Sequence, residues 1–334
     1  MTIPAHRAHG GPDAHGVSAH DFSTNANACG PCPQALLSVQ QADPTRYPDP
    51  AYGALRGMLA VRHGVEASRL VLAASASEFI FRITAWACGR GARRVWLPRH
   101  GFGDYASAAQ AWGMERAQGL GDAHLAWSCD PSSPVGGADE NLPAVAGSAA
   151  VVVLDRAYEP LRLRGSRALE GHNLNQLWQL WTPNKALGLT GVRAAYAIAP
   201  VRAEDDAAQL EALSPSWPIG THGEAMLLAW CAAPVQQWLD NSLTTLRSWK
   251  IRQIALCEAL GWRVLPGDAN FFVCCAGDEA PGTGLALVQQ LVRLRDHGVK
   301  LRDCASFGLP GHVRLSVQPP ASQDALDYAW RRLA

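Results

Sequence analysis

Short apolar runs that alternate with helix-like stretches constrain this chain most. Leu-Val-Leu-Ala-Ala at residues 70–74 precedes a helix-like stretch over 78–88, and residues 92–98 read as a short strand before a loop and a helix over 105–113. Residues 151–154 and 194–198 are further buried-strand candidates. Such alternation builds a largely parallel sheet flanked by helices, so the expected class is α/β. Residues 225–260 predict long helical material that Pro234 must break, because proline lacks the N–H that the helix interior needs. Residues 270–275, a helix over 285–296 and residues 312–317 then predict a smaller α+β domain, completed by the N-terminal segment. The expected division is a large domain over 45–230 and a small one from 1–44 with 231–334.

A chain of 334 residues, 48% of them hydrophobic, can bury the core that two domains need. Zero formal net charge and 17% charged residues argue against nucleic acid or an anionic membrane as partner. No signal-peptide core opens the chain, no apolar run reaches membrane-spanning length, and nine cysteines lack framework spacing. These features predict a cytoplasmic protein with reduced thiols. Cys29-Gly-Pro-Cys32 shares its tetrapeptide with thioredoxin-like redox sites, which place it between a strand and a helix. Here Asn25-Ala-Asn-Ala precedes it and Pro33 follows, so it reads as a turn into a helix over 33–41. The histidines at 6, 9, 15 and 20 do not make a metal set, which needs fixed ligand geometry.

The chemistry concentrates in Thr182-Pro-Asn-Lys-Ala-Leu-Gly-Leu-Thr-Gly-Val-Arg193. A lysine that forms an imine needs a dry, fixed position, which Lys185 has ahead of a glycine-punctuated turn. Arg193 presents a planar fork suited to a phosphate. Upstream, Val-Val-Val-Leu-Asp at 151–155 ends an apolar run in a carboxylate, with Tyr158 three residues on. A carboxylate there is costly unless paired, and a protonated pyridine nitrogen would pair it. An aldehyde-and-phosphate cofactor bound through Lys185, with Asp155 on its ring nitrogen, would use all these groups; that is pyridoxal 5'-phosphate chemistry. Ser75-Ala-Ser-Glu78 fits a capping box, with Glu78 reaching back to Ser75, and opens a helix N-terminus suited to phosphate.

In this order the motifs resemble the fold-type I pyridoxal-phosphate enzymes of aminotransferase class I/II, whose Ser-Leu-Ser-Lys-x-x-Gly-Leu-x-Gly-x-Arg pattern matches at Lys185, both glycines and Arg193. The opening His9-Gly-Gly, Asp21-Phe-Ser-Thr-Asn-Ala-Asn27 and Arg46-Tyr-Pro-Asp-Pro50 resembles threonine-phosphate decarboxylases of cobalamin biosynthesis and, slightly less, histidinol-phosphate aminotransferases. The likeness runs from about His9 to the C-terminus. It implies an aspartate aminotransferase-like large domain with a mostly parallel seven-stranded sheet. It also implies Lys185 as Schiff-base lysine and proton shuttle, Asp155 on the pyridine nitrogen and Tyr158 on the ring oxygen. Ala76, Ser77, Thr182 and Arg193 fall on the phosphate, and Phe102, with Tyr105 second, on the ring face. Tyr47 corresponds to a tyrosine that crosses a two-fold dimer to the partner's cofactor phosphate. Arg314 is expected on the substrate α-carboxylate, Arg302 on a second anionic group, and His9, Asn25 and Asn27 in the segment over the substrate.

Four positions depart from the family pattern. Ala73 and Ser75 stand where glycines are usual, Arg156 stands in the usual Asp-Glu-Ala-Tyr, and Ser133 replaces an asparagine that donates to the ring oxygen. A serine hydroxyl is too short to make that bond without a water or a shift. The reaction depends on which α-carbon bond stands perpendicular to the ring. The His9-Gly-Gly opening favours decarboxylation of L-threonine O-3-phosphate to (R)-1-amino-2-propanol phosphate. The alternatives are aminotransfer of the histidinol-phosphate type or a non-catalytic protein of this fold.

Overall fold

The computed structural model describes residues 10–276 and 283–332. Its centre is a seven-stranded sheet of β1 (Leu70–Ala73), β2 (Arg94–Trp96), β3 (Glu115–Arg116), β4 (Leu125–Cys129), β5 (Val151–Asp155), β6 (Trp178–Trp181) and β7 (Ala195–Ile198). They lie in the order β1-β7-β6-β5-β4-β2-β3. β7 is antiparallel to both neighbours, and the other pairs are parallel. Alternation along the strands feeds two cores. Leu70, Leu72, Tyr196 and Ile198 face one, while Val71, Ala73, Ala195 and Ala197 face the other. The expected α/β class with a mostly parallel seven-stranded sheet is what the chain adopts.

Two strands lacked an obvious signal. Ser128 in β4 and Gln179 in β6 interrupt the apolar pattern, yet both are buried. Each is satisfied by a side chain from another segment: the Ser128 hydroxyl bonds the Asp139 carboxylate, and Gln179 Oε1 accepts from Arg156 Nη1 at 2.8 Å. A polar residue so paired carries no net penalty for sitting in a central strand.

Helix α1 (Ala76–Gly89) follows β1, and α2 (Gly103–Ala111) follows β2. Ser75 caps α1 by accepting the Glu78 N–H at 3.1 Å, as expected. The return arm of the box lands elsewhere: Glu78 Oε2 accepts from Ala74 N at 3.1 Å, one residue before the cap. The break at Pro234 falls between the helix Thr221–Trp230 and α3 (Ala233–Ala259), where proline occupies the first turn and needs no N–H partner. Residues 29–32 form the turn into the helix Pro33–Gln41.

A second sheet is antiparallel: β8 (Arg263–Val264), β9 (Phe271–Cys275), β10 (Arg302–Asp303) and β11 (His312–Ser316), in the order β10-β11-β9-β8. The N-terminal segment packs on it. Residues 20–21 pair in parallel with Val299 and Lys300, and Ser316 N donates to Phe22 O at 2.8 Å. Among the described residues no helix is long and apolar enough to cross a membrane.

Candidate active site

β1, β5 and β6 run parallel, so their carboxyl ends open at one edge of the sheet, where ligands of open α/β sheets bind. Ser75, Asp155 and Thr182 sit at or just beyond those ends. A cavity there is lined by Ser77, Phe102, Asp155, Thr182, Lys185 and Arg193, with Ala76, Ser133 and Tyr158 also on its wall. The lysine and the acid therefore open onto the same space.

Asp155 ends β5 and is 5% exposed. Its Oδ2 accepts from Tyr105 Oη at 2.6 Å and its Oδ1 from Ala157 N at 2.9 Å. Burial raises its carboxyl above the usual range, against the Tyr105 and Ala157 hydrogen bonds and the charge of Lys185. Tyr105 was the second expectation for the ring-stacking aromatic. Its ring instead stacks on Trp127, with centroids 4.5 Å apart, and its hydroxyl serves Asp155. Phe102, the first expectation, lines this cavity and the one beside it.

At the other end of the cavity, Ala76 and Ser77 begin α1, where helix N–H groups have no intrahelical acceptor. Thr182 Oγ1 is buried with no hydrogen-bond partner, and so is Asn184 Oδ1. Orphaned buried oxygens cost free energy, and here both belong to residues on the cavity wall. Arg193 lies on the same wall, exposed. An anion beside a helix N-terminus, a hydroxyl and a guanidinium fits this end.

Lys185 lies in the loop after β6, its Nζ 5.4 Å from the Tyr158 ring centroid. The N-terminal segment braces its backbone. Asn27 N donates to Lys185 O at 2.9 Å, and Asn27 Nδ2 donates to Ala186 O and Ser242 Oγ at 3.1 and 2.7 Å.

An adjoining cavity shares Lys185, Tyr158, Ser133 and Phe102, and adds Asn25, Arg302 and Arg314. Asn25 is buried, its Nδ2 3.3 Å from Tyr158 Oη and its Oδ1 without a partner. Arg314 donates to Ser23 O at 3.1 Å and to Ser133 Oγ at 3.4 Å, and its Nε is buried unpartnered. Ser133 thus faces Arg314. Arg302 donates to Asp303 O and Ser306 Oγ at 2.8 and 2.7 Å. Gly10 lines the cavity too, and a Cβ on it would meet Ser23 O at 2.1 Å. His9 lies outside the described residues. Tyr47 is away from both cavities, 77% exposed and stacked on Trp217 at 4.4 Å.

Sequence reasoning missed Asn184, next to the lysine, and the pair Asp104 and Ser107, which line the second cavity. Three residues apart on α2, that pair shares a helix face, which is the signal that was available. The thiols of the Cys29-Gly-Pro-Cys32 turn lack the acidification that a redox site gives its attacking cysteine. Burial pushes Cys29 up to about 11 and raises Cys32 as well, the reverse of an acidified thiol.

Residues 140–333 match the model of the aminotransferase class I and II family. Histidinol-phosphate aminotransferase 1 of Thiobacillus denitrificans is 26% identical over 332 residues, which cover 89% of this chain and 80% of that protein. A crystal structure of histidinol-phosphate aminotransferase from Sinorhizobium meliloti in complex with pyridoxal-5'-phosphate superposes with a TM-score of 0.78 at 21% identity, covering 93% of this chain and 90% of that one. L-threonine-O-3-phosphate decarboxylase from Porphyromonas gingivalis gives 0.74 at 20% identity, covering 93% and 96%.

Proposed function

We propose a reaction from one premise: the chain belongs to the aminotransferase class I and II family. It is an enzyme of pyridoxal 5'-phosphate chemistry. The first cavity fits that cofactor by its own orphaned oxygens, its buried acid and the half-buried Lys185. Lys185 would hold its aldehyde, Asp155 the proton on its ring nitrogen, and Tyr158 its ring oxygen. Phe102 would cover the ring, while Ala76, Ser77, Thr182 and Arg193 would grip the phosphate. When bound, the cofactor supplies an electron sink for the pair released at the substrate α-carbon.

The chain's own groups do the rest. The Lys185 amine, once displaced by the substrate amine, stands ready to move a proton at the α-carbon. Asp155, buried and held by Tyr105, would present a fixed carboxyl group to the ring nitrogen, whose positive charge would favour its ionised form. Arg314 and Arg302 orient a substrate with two anionic groups, which describes a phosphorylated amino acid.

One reading is decarboxylation of L-threonine O-3-phosphate, as a step of cobalamin biosynthesis. It is supported by the likeness of the His9-Gly-Gly opening to threonine-phosphate decarboxylases and by the fold shared with the Porphyromonas gingivalis decarboxylase. The glycine-rich N-terminal segment presses on Ser23 at the substrate cavity with no room for a side chain, where the decarboxylase-like opening would have to act. The bond from the α-carbon to the carboxylate breaks, carbon dioxide leaves, and Lys185 returns a proton to the α-carbon. Incubating the cofactor-loaded protein with L-threonine O-3-phosphate should release carbon dioxide; absence of release rejects this reading.

Aminotransfer is the other reading, and the comparisons support it better: the curated relative and the solved structure of higher TM-score are both named histidinol-phosphate aminotransferase. Loss of histidinol phosphate that depends on an added oxo-acid would establish it. In either case we infer a two-fold dimer in which Tyr47 reaches the partner's cofactor phosphate. Tyr47 and Trp217 stack on the surface, and Met58 and Val61 are also exposed.

A further inference from the structure

Arg302 and Arg314 stand directly opposite each other in the β10–β11 pair. Both are buried, and both reach one ring: Arg302 Cζ lies 4.9 Å and Arg314 Cζ 5.5 Å from the centroid of Phe307. Two guanidinium groups this close repel. Burial and then the charge of Arg314 lower the Arg302 pKa. The negative face of an aromatic ring offsets such repulsion, and a stacked guanidinium loses its freedom to swing.

Phe307 is itself fixed. Its N–H donates to Cys304 O at 2.9 Å, and its carbonyl lies 2.7 Å from His100 Nδ1, a residue of the loop before α2. The bond to His100 ties the loop between the two arginine-bearing strands to the large sheet's side of the cavity. Gly308 turns the chain there with φ +76, and a Cβ on it would stand 3.6 Å from His100. Phe307, Arg302 and Arg314 all line the substrate cavity.

We propose that Phe307 is a specificity-determining residue, whose ring sets the positions of the two guanidiniums and so selects substrates with a phosphoryl group over their unphosphorylated analogues. The proposal rests on the reading of this cavity as the substrate site. Its chemistry is general: a preset pair of cations rewards a dianion, whereas a single carboxylate uses only one of them.

The test compares the native holoenzyme with Phe307→Leu and Phe307→Tyr. Steady-state rates on L-threonine O-3-phosphate and L-threonine give the ratio of kcat/KM values, and calorimetry gives the affinity for inorganic phosphate. Leucine should lower the ratio about tenfold, through KM rather than kcat, and weaken phosphate binding in parallel. Tyrosine, which keeps the ring, should restore both. An unchanged ratio and unchanged phosphate affinity in the leucine variant overturn the proposal, as does an equal loss with tyrosine. Phosphate binding is read without turnover. If the native protein acts on neither amino acid, the proposed reaction fails while the calorimetry still decides the role of Phe307.

Discussion

The Tyr105 hydroxyl donates to the Asp155 carboxylate at 2.6 Å, inside a pocket where both side chains are almost wholly buried. The acid proposed to meet a pyridine nitrogen is thus aimed by a phenol stacked on Trp127. Tyr105→Phe removes one influence that lowers the Asp155 pKa, so burial should push that carboxyl higher still. Cofactor affinity should fall about tenfold, measured by absorbance titration, because a leftover acceptor costs on the order of 1–3 kcal/mol. Unchanged affinity would mean the phenol plays no part in aiming the acid.

Lys185→Ala should abolish the visible band formed on adding pyridoxal phosphate and cut turnover by at least about a thousandfold. Borohydride treatment followed by mass analysis should label the native protein at this residue and leave the variant unmodified.

Gly10→Ala places a methyl group where Ser23 O already lies. The segment must shift, so KM for the amino substrate should rise severalfold while the cofactor's absorbance stays as in the native protein. A normal KM would detach this segment from the substrate.

His63 supplies a pH dependence of stability. Its ring bonds Tyr196 Oη at 2.8 Å, and burial, helped by Arg62 and Arg156, lowers its pKa from 6.5 to about 3. The folded state therefore favours neutral imidazole. Its stability contribution is complete above pH 6.5 and is lost as pH falls toward about 3, at roughly 1.4 kcal/mol per unit. Melting curves between pH 7 and 5 should show the loss, and His63→Gln should flatten it.

Asn27→Ala removes two buried side-chain hydrogen bonds, to Ala186 O and Ser242 Oγ. A loss of about 1–3 kcal/mol in denaturant unfolding is expected, together with weaker cofactor retention as the Lys185 loop loosens.

Much of this was readable from residues alone, and the reasons are local. β1, β5 and β7 are apolar runs, so burial on both faces announced them. Ser75 sits three residues before Glu78, so the cap of α1 was legible, although the exact N–H that Glu78 serves was not. β4 and β6 were hidden because Ser128 and Gln179 depend on partners distant in sequence, Asp139 and Arg156. The Lys185 loop and Asp155 stood out as charged groups set in apolar surroundings. Tyr105 stood out only as a second choice for the ring face; its bond to Asp155 follows from packing on Trp127, which sequence spacing does not encode. The common use of Phe307 by two arginines did not stand out, because it needs the β10–β11 register.

The brace between Asn27 and the lysine loop spans 159 residues. A ribosome emits Asn27 long before Ala186, so the early segment has no partner while more than half of the chain is still being made. The pocket around Lys185 can therefore close only late in synthesis, and truncated translation products should lack it even when their sheet strands have paired. Bringing such distant segments together is slow, which makes the lysine's surroundings a late step of folding.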